Sequence, residues 1–100
     1  MVSRLTSKQL EKALGNLRTW GFRQERPAIF RRLEFASFRE AMGLMIEVAL
    51  EAGKADHHPE WFNVYNRLDM WLTTHDVAGV SEKDINLALK IDQIFTKYEH

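Results

Sequence analysis

The chain has 100 residues, 45% of them hydrophobic and 28% charged, with no cysteine and a formal net charge of +0. Balanced charge argues against a dedicated nucleic-acid binder, which carries a basic excess, and the missing cysteines exclude disulfides and thiolate metal sites. No apolar run approaches the roughly 18 residues of a membrane span, and the first residues show no signal-peptide pattern.

One cytoplasmic domain over residues 1–100 is therefore expected, of a size that buries only about two-thirds of its unfolded surface. Charge is uneven along it. Residues 1–50 carry 9 Lys and Arg against 5 Asp and Glu, and residues 51–100 carry 5 against 9. That asymmetry fits either two solvated faces or a matched contact between subunits.

Thr6 is placed to cap a first helix, with Gln9 reaching back and Leu5 stapling onto Leu10; Leu10, Ala13, Leu14 and Leu17 form its stripe. Trp20 to Gln24 and Ile29 to Phe35 read as strands around a corner at Arg26-Pro27. Ser37-Phe38-Arg39-Glu40 starts the main helix, and Gly53 is placed to end it. Apolar residues surround most of that helix, whereas one sheet contact needs an arc of only about 100°. A second side is therefore expected to meet a partner, with Leu44 and Val48 on it and Gly43 permitting close helix approach.

From Trp61 to Thr74 the residues alternate. Phe62, Val64, Leu68, Met70 and Leu72 share one phase, and Trp61, Tyr65 and Trp71 fall on the other. The run exceeds a usual strand of about 3–10 residues, so a turn is expected near Asn66. Ser81-Glu82-Lys83-Asp84 opens the last helix, with Ile85, Ala88, Leu89, Ile91, Ile94, Phe95 and Tyr98 inward. The order α-β-β-α-β-β-α predicts an α+β two-layer sandwich, a four-stranded antiparallel sheet with helices on one face.

Three of the four histidines fall in Asp56-His57-His58-Pro59-Glu60-Trp61-Phe62 and Thr73-Thr74-His75-Asp76. Imidazole, with an unperturbed pKa of about 6.5, can give or take a proton near neutrality, so the cluster suggests proton transfer on a small molecule. Pro59 favours extended backbone at His58. Both adjacent histidines then face one pocket only if the chain turns at Asp56 or His57. Zinc is the competing chemistry, with Asp56, Asp76 or Asp84 completing a site, although no helical histidine spacing supports it. Asp84 has a structural alternative as the third residue of a capping box opened by Ser81.

The run His57-His58-Pro59, then Tyr65, His75 and Asp84, resembles the signature of the pterin-4a-carbinolamine dehydratases. Asn16-Leu17-Arg18 before Trp20-Gly21, the unbroken block Asp56 to Asn66, and Ser81 to Ala88 are similar to that family as well, so the resemblance spans nearly the whole chain. It departs at Gly53, where the family usually carries an acidic or polar residue; Glu51 or Asp56 stands nearby.

The resemblance implies the same two-layer fold and dehydration of 4a-hydroxytetrahydrobiopterin without metal or cofactor. It implies His57 and His75 moving protons, His58 holding substrate, Asp84 in the catalytic set, and Asp56, Thr73, Thr74 and Asp76 around the pterin. It further implies a homotetramer, a dimer of dimers, with an aromatic amino-acid hydroxylase as pathway partner. Some animal members also bind a transcription factor through the main helix, so a dimerisation module is the alternative function.

Overall fold

The computed structural model describes residues 2–99. Its main elements are α1 (Ser7–Leu14), β1 (Gly21–Arg23), β2 (Ala28–Glu34), α2 (Phe38–Ala55), β3 (Glu60–Val64), β4 (Arg67–Leu72) and α3 (Glu82–Phe95). Short 3-10 turns follow β4 at His75–Val77 and α3 at Thr96–Tyr98. The strands form one antiparallel sheet in the order β1-β2-β4-β3, the expected α+β sandwich.

Caps set the helix starts. Thr6 accepts from Gln9 N–H at 3.1 Å while the Gln9 side chain accepts from Thr6 N–H at 2.9 Å, closing the expected capping box. Ser37 accepts from Glu40 N–H at 3.2 Å. α2 runs past Gly53 to Ala55, and Asp56 ends it in the left-handed region at φ 53°, with the His57 N–H reaching back to Ala52 O. An Asp side chain tolerates that conformation better than most non-glycine residues, so Asp56 does what Gly53 was expected to do. The chain thereby turns at one of the two places that the adjacent histidines require.

The sheet's inner face carries Ile29 and Leu33 of β2 with Leu68, Met70 and Leu72 of β4, all essentially inaccessible. α2 lays Ala41, Leu44, Val48 and Ala52 on that layer, and α3 adds Ala88, Ile91 and Phe95. Leu44 and Val48 are thus core residues of their own subunit, each worth ~1.5–3 kcal/mol relative to exposure. The apolar side left over is Phe38, Ile46 and Leu50, at 45%, 56% and 65% exposure. Gly43 seats the Tyr98 hydroxyl, 3.0 Å from where a Cβ would stand, so its space is filled from within the chain.

Two assignments of side changed. Val64 pairs with Arg67 across the two-residue turn Tyr65-Asn66, with Tyr65 at φ 52°. Paired residues share a face, so a two-residue turn inverts the alternation between strands. Trp61, opposite Met70, therefore packs on the core, while Phe62 and Val64 lie on the open face and are 54% and 45% exposed. In α3, Leu87 is buried where Leu89 was expected; Leu89 borders a shallow groove against α1.

The charge asymmetry resolves inside the subunit. Arg31 reaches Asp92 at 2.6 Å, Arg32 reaches Asp69 at 2.7 Å and Arg26 contacts Glu60, each joining the basic half to the acidic half. The Trp20 indole donates to the same Asp92 at 2.8 Å, fastening α3 over the sheet. Among the described residues no helix is long and apolar enough to cross a membrane.

Candidate active site

Asp84 is the pivot of the histidine region. It sits in the first turn of α3 with no accessible surface, and its Oδ2 accepts from Ser81 N–H at 2.9 Å, completing a capping box. The same oxygen accepts from the Thr74 hydroxyl at 2.8 Å, and that hydroxyl lies 2.6 Å from Ser81 Oγ. Oδ1 is 2.6 Å from His57 Nε2. Cap and histidine partner are one residue.

Geometry then fixes His57. A carboxylate accepts only, so Nε2 carries the proton toward Asp84 and Nδ1 is the ring atom left for a substrate. The His57 side chain is 11% accessible, and a buried imidazole so bonded has little freedom to turn over. It borders a cavity of about 320 Å³ lined by Glu51, Ala55, Lys83, Asn86, Leu87 and Lys90. Glu51, rather than Gly53, thus brings a carboxylate to this cavity.

His75 is built differently. It opens the 3-10 turn after β4 and is 80% accessible, with Nε2 2.9 Å from Glu60 Oε2 at the start of β3. Arg26, from the β1–β2 corner, contacts the other Glu60 oxygen and lies over the Trp71 ring at 4.7 Å. These residues edge a second cavity of about 310 Å³ with Pro27, Thr73 and Ala78. His57 and His75 therefore line different cavities, linked through the chain by Thr74, which precedes His75 and bonds the carboxylate that holds His57. Two larger grooves, about 630 and 780 Å³, contain no histidine.

The remaining predicted residues divide. His58, Asp56 and Asp76 are exposed beside the cluster. The Thr73 hydroxyl donates to Pro27 O at 2.7 Å, tying the strand end to the β1–β2 corner. Among the described residues no group of three His, Asp or Glu side chains is gathered closely enough to hold a metal ion. Sequence reading did not single out Glu60, Lys83, Asn86 or Lys90. The last three, with Leu87, fall at helical spacing on one face of α3, which is a readable signal.

A profile for pterin 4 alpha carbinolamine dehydratase matches residues 3–94. The chain belongs to that family. A protein of Burkholderia multivorans, provisionally named pterin-4-alpha-carbinolamine dehydratase, is 51% identical over 94 residues, covering 94% of this chain and 92% of its own. One of Burkholderia pseudomallei with the same provisional name is 49% identical over 94 residues, covering 94% and 93%. A crystal structure from Brucella melitensis, described as a transcriptional coactivator/pterin dehydratase, superposes with a TM-score of 0.88 at 47% identity, covering 91% of this chain and 97% of that one.

Proposed function

We propose that the protein dehydrates 4a-hydroxytetrahydrobiopterin to quinonoid dihydropterin and water, a hydro-lyase step in cytoplasmic tetrahydrobiopterin recycling. The observation that carries this reading is the buried Asp84 carboxylate fixing one tautomer of His57 within the family's histidine motif. The C4a–O bond breaks as the hydroxyl takes a proton and leaves as water, while N5 gives up its proton and the C4a=N5 bond forms. One acid and one base suffice, each transfer typically worth 10²–10⁴-fold.

His57, held at Nε2, has Nδ1 for one transfer; His75, open to solvent, handles the other and exchanges its proton with water. Asp84 orients the first imidazole, and Glu60, itself held by Arg26, orients the second. His58 steadies the substrate, with Asp56, Thr73, Thr74 and Asp76 framing it. No metal or redox cofactor enters these steps, and an aromatic amino-acid hydroxylase would supply the carbinolamine. Stopped-flow dehydration of freshly generated carbinolamine tests the reading: wild-type protein should accelerate it well above buffer.

A second reading, a module that binds partner helices, is favoured by Phe38, Ile46 and Leu50 exposed along α2. The same surface supports a homotetramer, since a few hundred Å² of apolar helix at about 25 cal/mol per Å² is worth several kcal/mol of association. Ile46→Glu with Leu50→Glu should lower the mass by analytical ultracentrifugation while leaving the fold intact. A wild-type monomer at micromolar concentration would exclude both the tetramer and this use of α2.

A further inference from the structure

Thr74 is tied to both histidine sites. Its backbone closes the turn that presents His75: the N–H donates to Gly79 O at 2.8 Å, and the carbonyl accepts from Val77 N–H at 3.1 Å and Gly79 N–H at 3.4 Å. Its side chain belongs to the buried cluster around Asp84, where Thr74, Ser81 and Asp84 are 5%, 0% and 0% accessible.

The Thr74 hydroxyl lies 2.8 Å from Asp84 Oδ2 and 2.6 Å from Ser81 Oγ, and it has a single proton to give. An ionised carboxylate only accepts, so that proton goes to Asp84 and the Ser81 hydroxyl donates to Thr74. Ser81 Oγ in turn accepts from Lys83 N–H at 3.3 Å. The bonds therefore run one way, from the Lys83 amide through Ser81 and Thr74 to Asp84, while His57 donates to the other carboxylate oxygen.

Such a chain could carry protons or hold a direction, and its far end decides. A proton wire needs an exit to water. This one ends at a backbone amide, which releases no proton near neutrality, and both hydroxyls are buried. Orientation remains. Oδ2 takes the Ser81 N–H at 2.9 Å and the Thr74 hydroxyl, two donors that fix the carboxylate plane and aim Oδ1 at His57 Nε2. With only one of them, the carboxylate could swing about its Cβ–Cγ bond. Every polar group of Thr74 is engaged within the chain, so none is left for a substrate.

We infer that Thr74 is a positioning residue for the dehydration, acting through Asp84 to hold His57 in its Nε2–H tautomer rather than by touching the pterin. This rests on the dehydratase reading above and narrows the part of Thr74 in framing the substrate to support from behind His57. Through the same residue, the segment that carries His75 is anchored to the carboxylate that aims His57.

Thr74→Val keeps the shape and removes the hydroxyl, and Thr74→Ser keeps the hydroxyl. Two readouts are taken on each: kcat and KM for 4a-carbinolamine by stopped-flow, and nitrogen NMR of the His57 ring in isotope-labelled protein. The spectra are recorded at about pH 8.5, above the unperturbed imidazole pKa of about 6.5. Wild type and Thr74→Ser should show one His57 tautomer, protonated at Nε2, and Thr74→Val a mixture of both. Thr74→Val should lose roughly tenfold in kcat, short of the roughly 10²–10⁴-fold of a whole proton transfer, with KM within about twofold. Thr74→Ser should recover most of that loss. Circular dichroism checks the fold, and Thr74→Ala, which also lacks the hydroxyl, replaces Thr74→Val if that variant does not fold.

A raised KM at parental kcat would make Thr74 a substrate contact and overturn the positioning role. So would a His57 tautomer left unchanged in Thr74→Val, whatever its rate. A mixed tautomer in Thr74→Val with no turnover by any form, wild type included, sinks the dehydratase reading and keeps the hold on His57.

Discussion

Two imidazoles of one motif have been given opposite surroundings. His57 is 11% accessible and bonded to a carboxylate with no exposed surface, which is itself held by Ser81 and Thr74. His75 is 80% accessible and faces Glu60, a half-buried residue shared with Arg26. Burial buys the first ring a fixed tautomer and direction. Exposure gives the second free proton exchange with water. The proposed dehydration would use both properties, because one group must meet the substrate in a set orientation and the protons must also return to solvent.

The largest expected effect breaks the buried half of this contrast. His57→Ala or Asp84→Asn should lower kcat about 10²–10³-fold, read by stopped-flow. Asp84→Asn also weakens the α3 cap, at about 1 kcal/mol. A melting curve separates the two effects: the fall in kcat should greatly exceed what the lost stability explains at 25 °C.

His75→Ala should cost less, about tenfold, and its exposure gives a sharper test than the size of the loss. Added imidazole should restore much of the rate, since the vacated position is open to solvent. The same imidazole should not rescue His57→Ala. Equal rescue of both would erase the distinction between the sites.

Glu60→Gln should be milder still. Exposed ion pairs are worth about 0.2–1 kcal/mol, so a loss of up to about fivefold in kcat is expected, read by stopped-flow. Asp84→Asn, by contrast, should not resemble it, because no solvent replaces the buried carboxylate.

The smallest effect lies away from both histidines. Lys97 holds the Glu47 carboxyl below its ordinary value of 4.5, and Tyr98 adds to the pull, while partial burial pushes Tyr98 up. A carboxyl depressed in the folded state stabilises above its unfolded value, and that stability is lost as pH falls through the folded value. Glu47→Gln should therefore lower Tm slightly at pH 7 and hardly at all near pH 3. Both side chains remain solvent-accessible, so screening keeps the effect small.

Much of this was legible in the sequence, for reasons that can be named. Periodicity and caps gave every main element in order, since Thr6, Ser37 and Ser81 are local signals. The histidine spacing pointed to the family, and the capping role of Asp84 was readable from Ser81, three residues before it; its bond to His57 was not. What sequence hid was relational. The face of Trp61 and Phe62 depended on the length of a turn at Tyr65-Asn66 that alternation alone does not count. The inward side of α2 was ambiguous because Leu44, Val48, Ile46 and Leu50 are equally apolar, and only packing against Leu68 and Met70 tells them apart. Glu60 acquired its place through a fold that brings β3, the β1–β2 corner and the turn after β4 together, which no local pattern announces.

The most direct measurement is single-turnover stopped-flow decay of 4a-carbinolamine at pH 7 with wild-type protein and the His57→Ala, His75→Ala double variant. Wild type should give rapid decay and the double variant a rate close to buffer, with its melting curve near the parental one. A double variant that dehydrates the carbinolamine at the parental rate would remove both histidines from the chemistry.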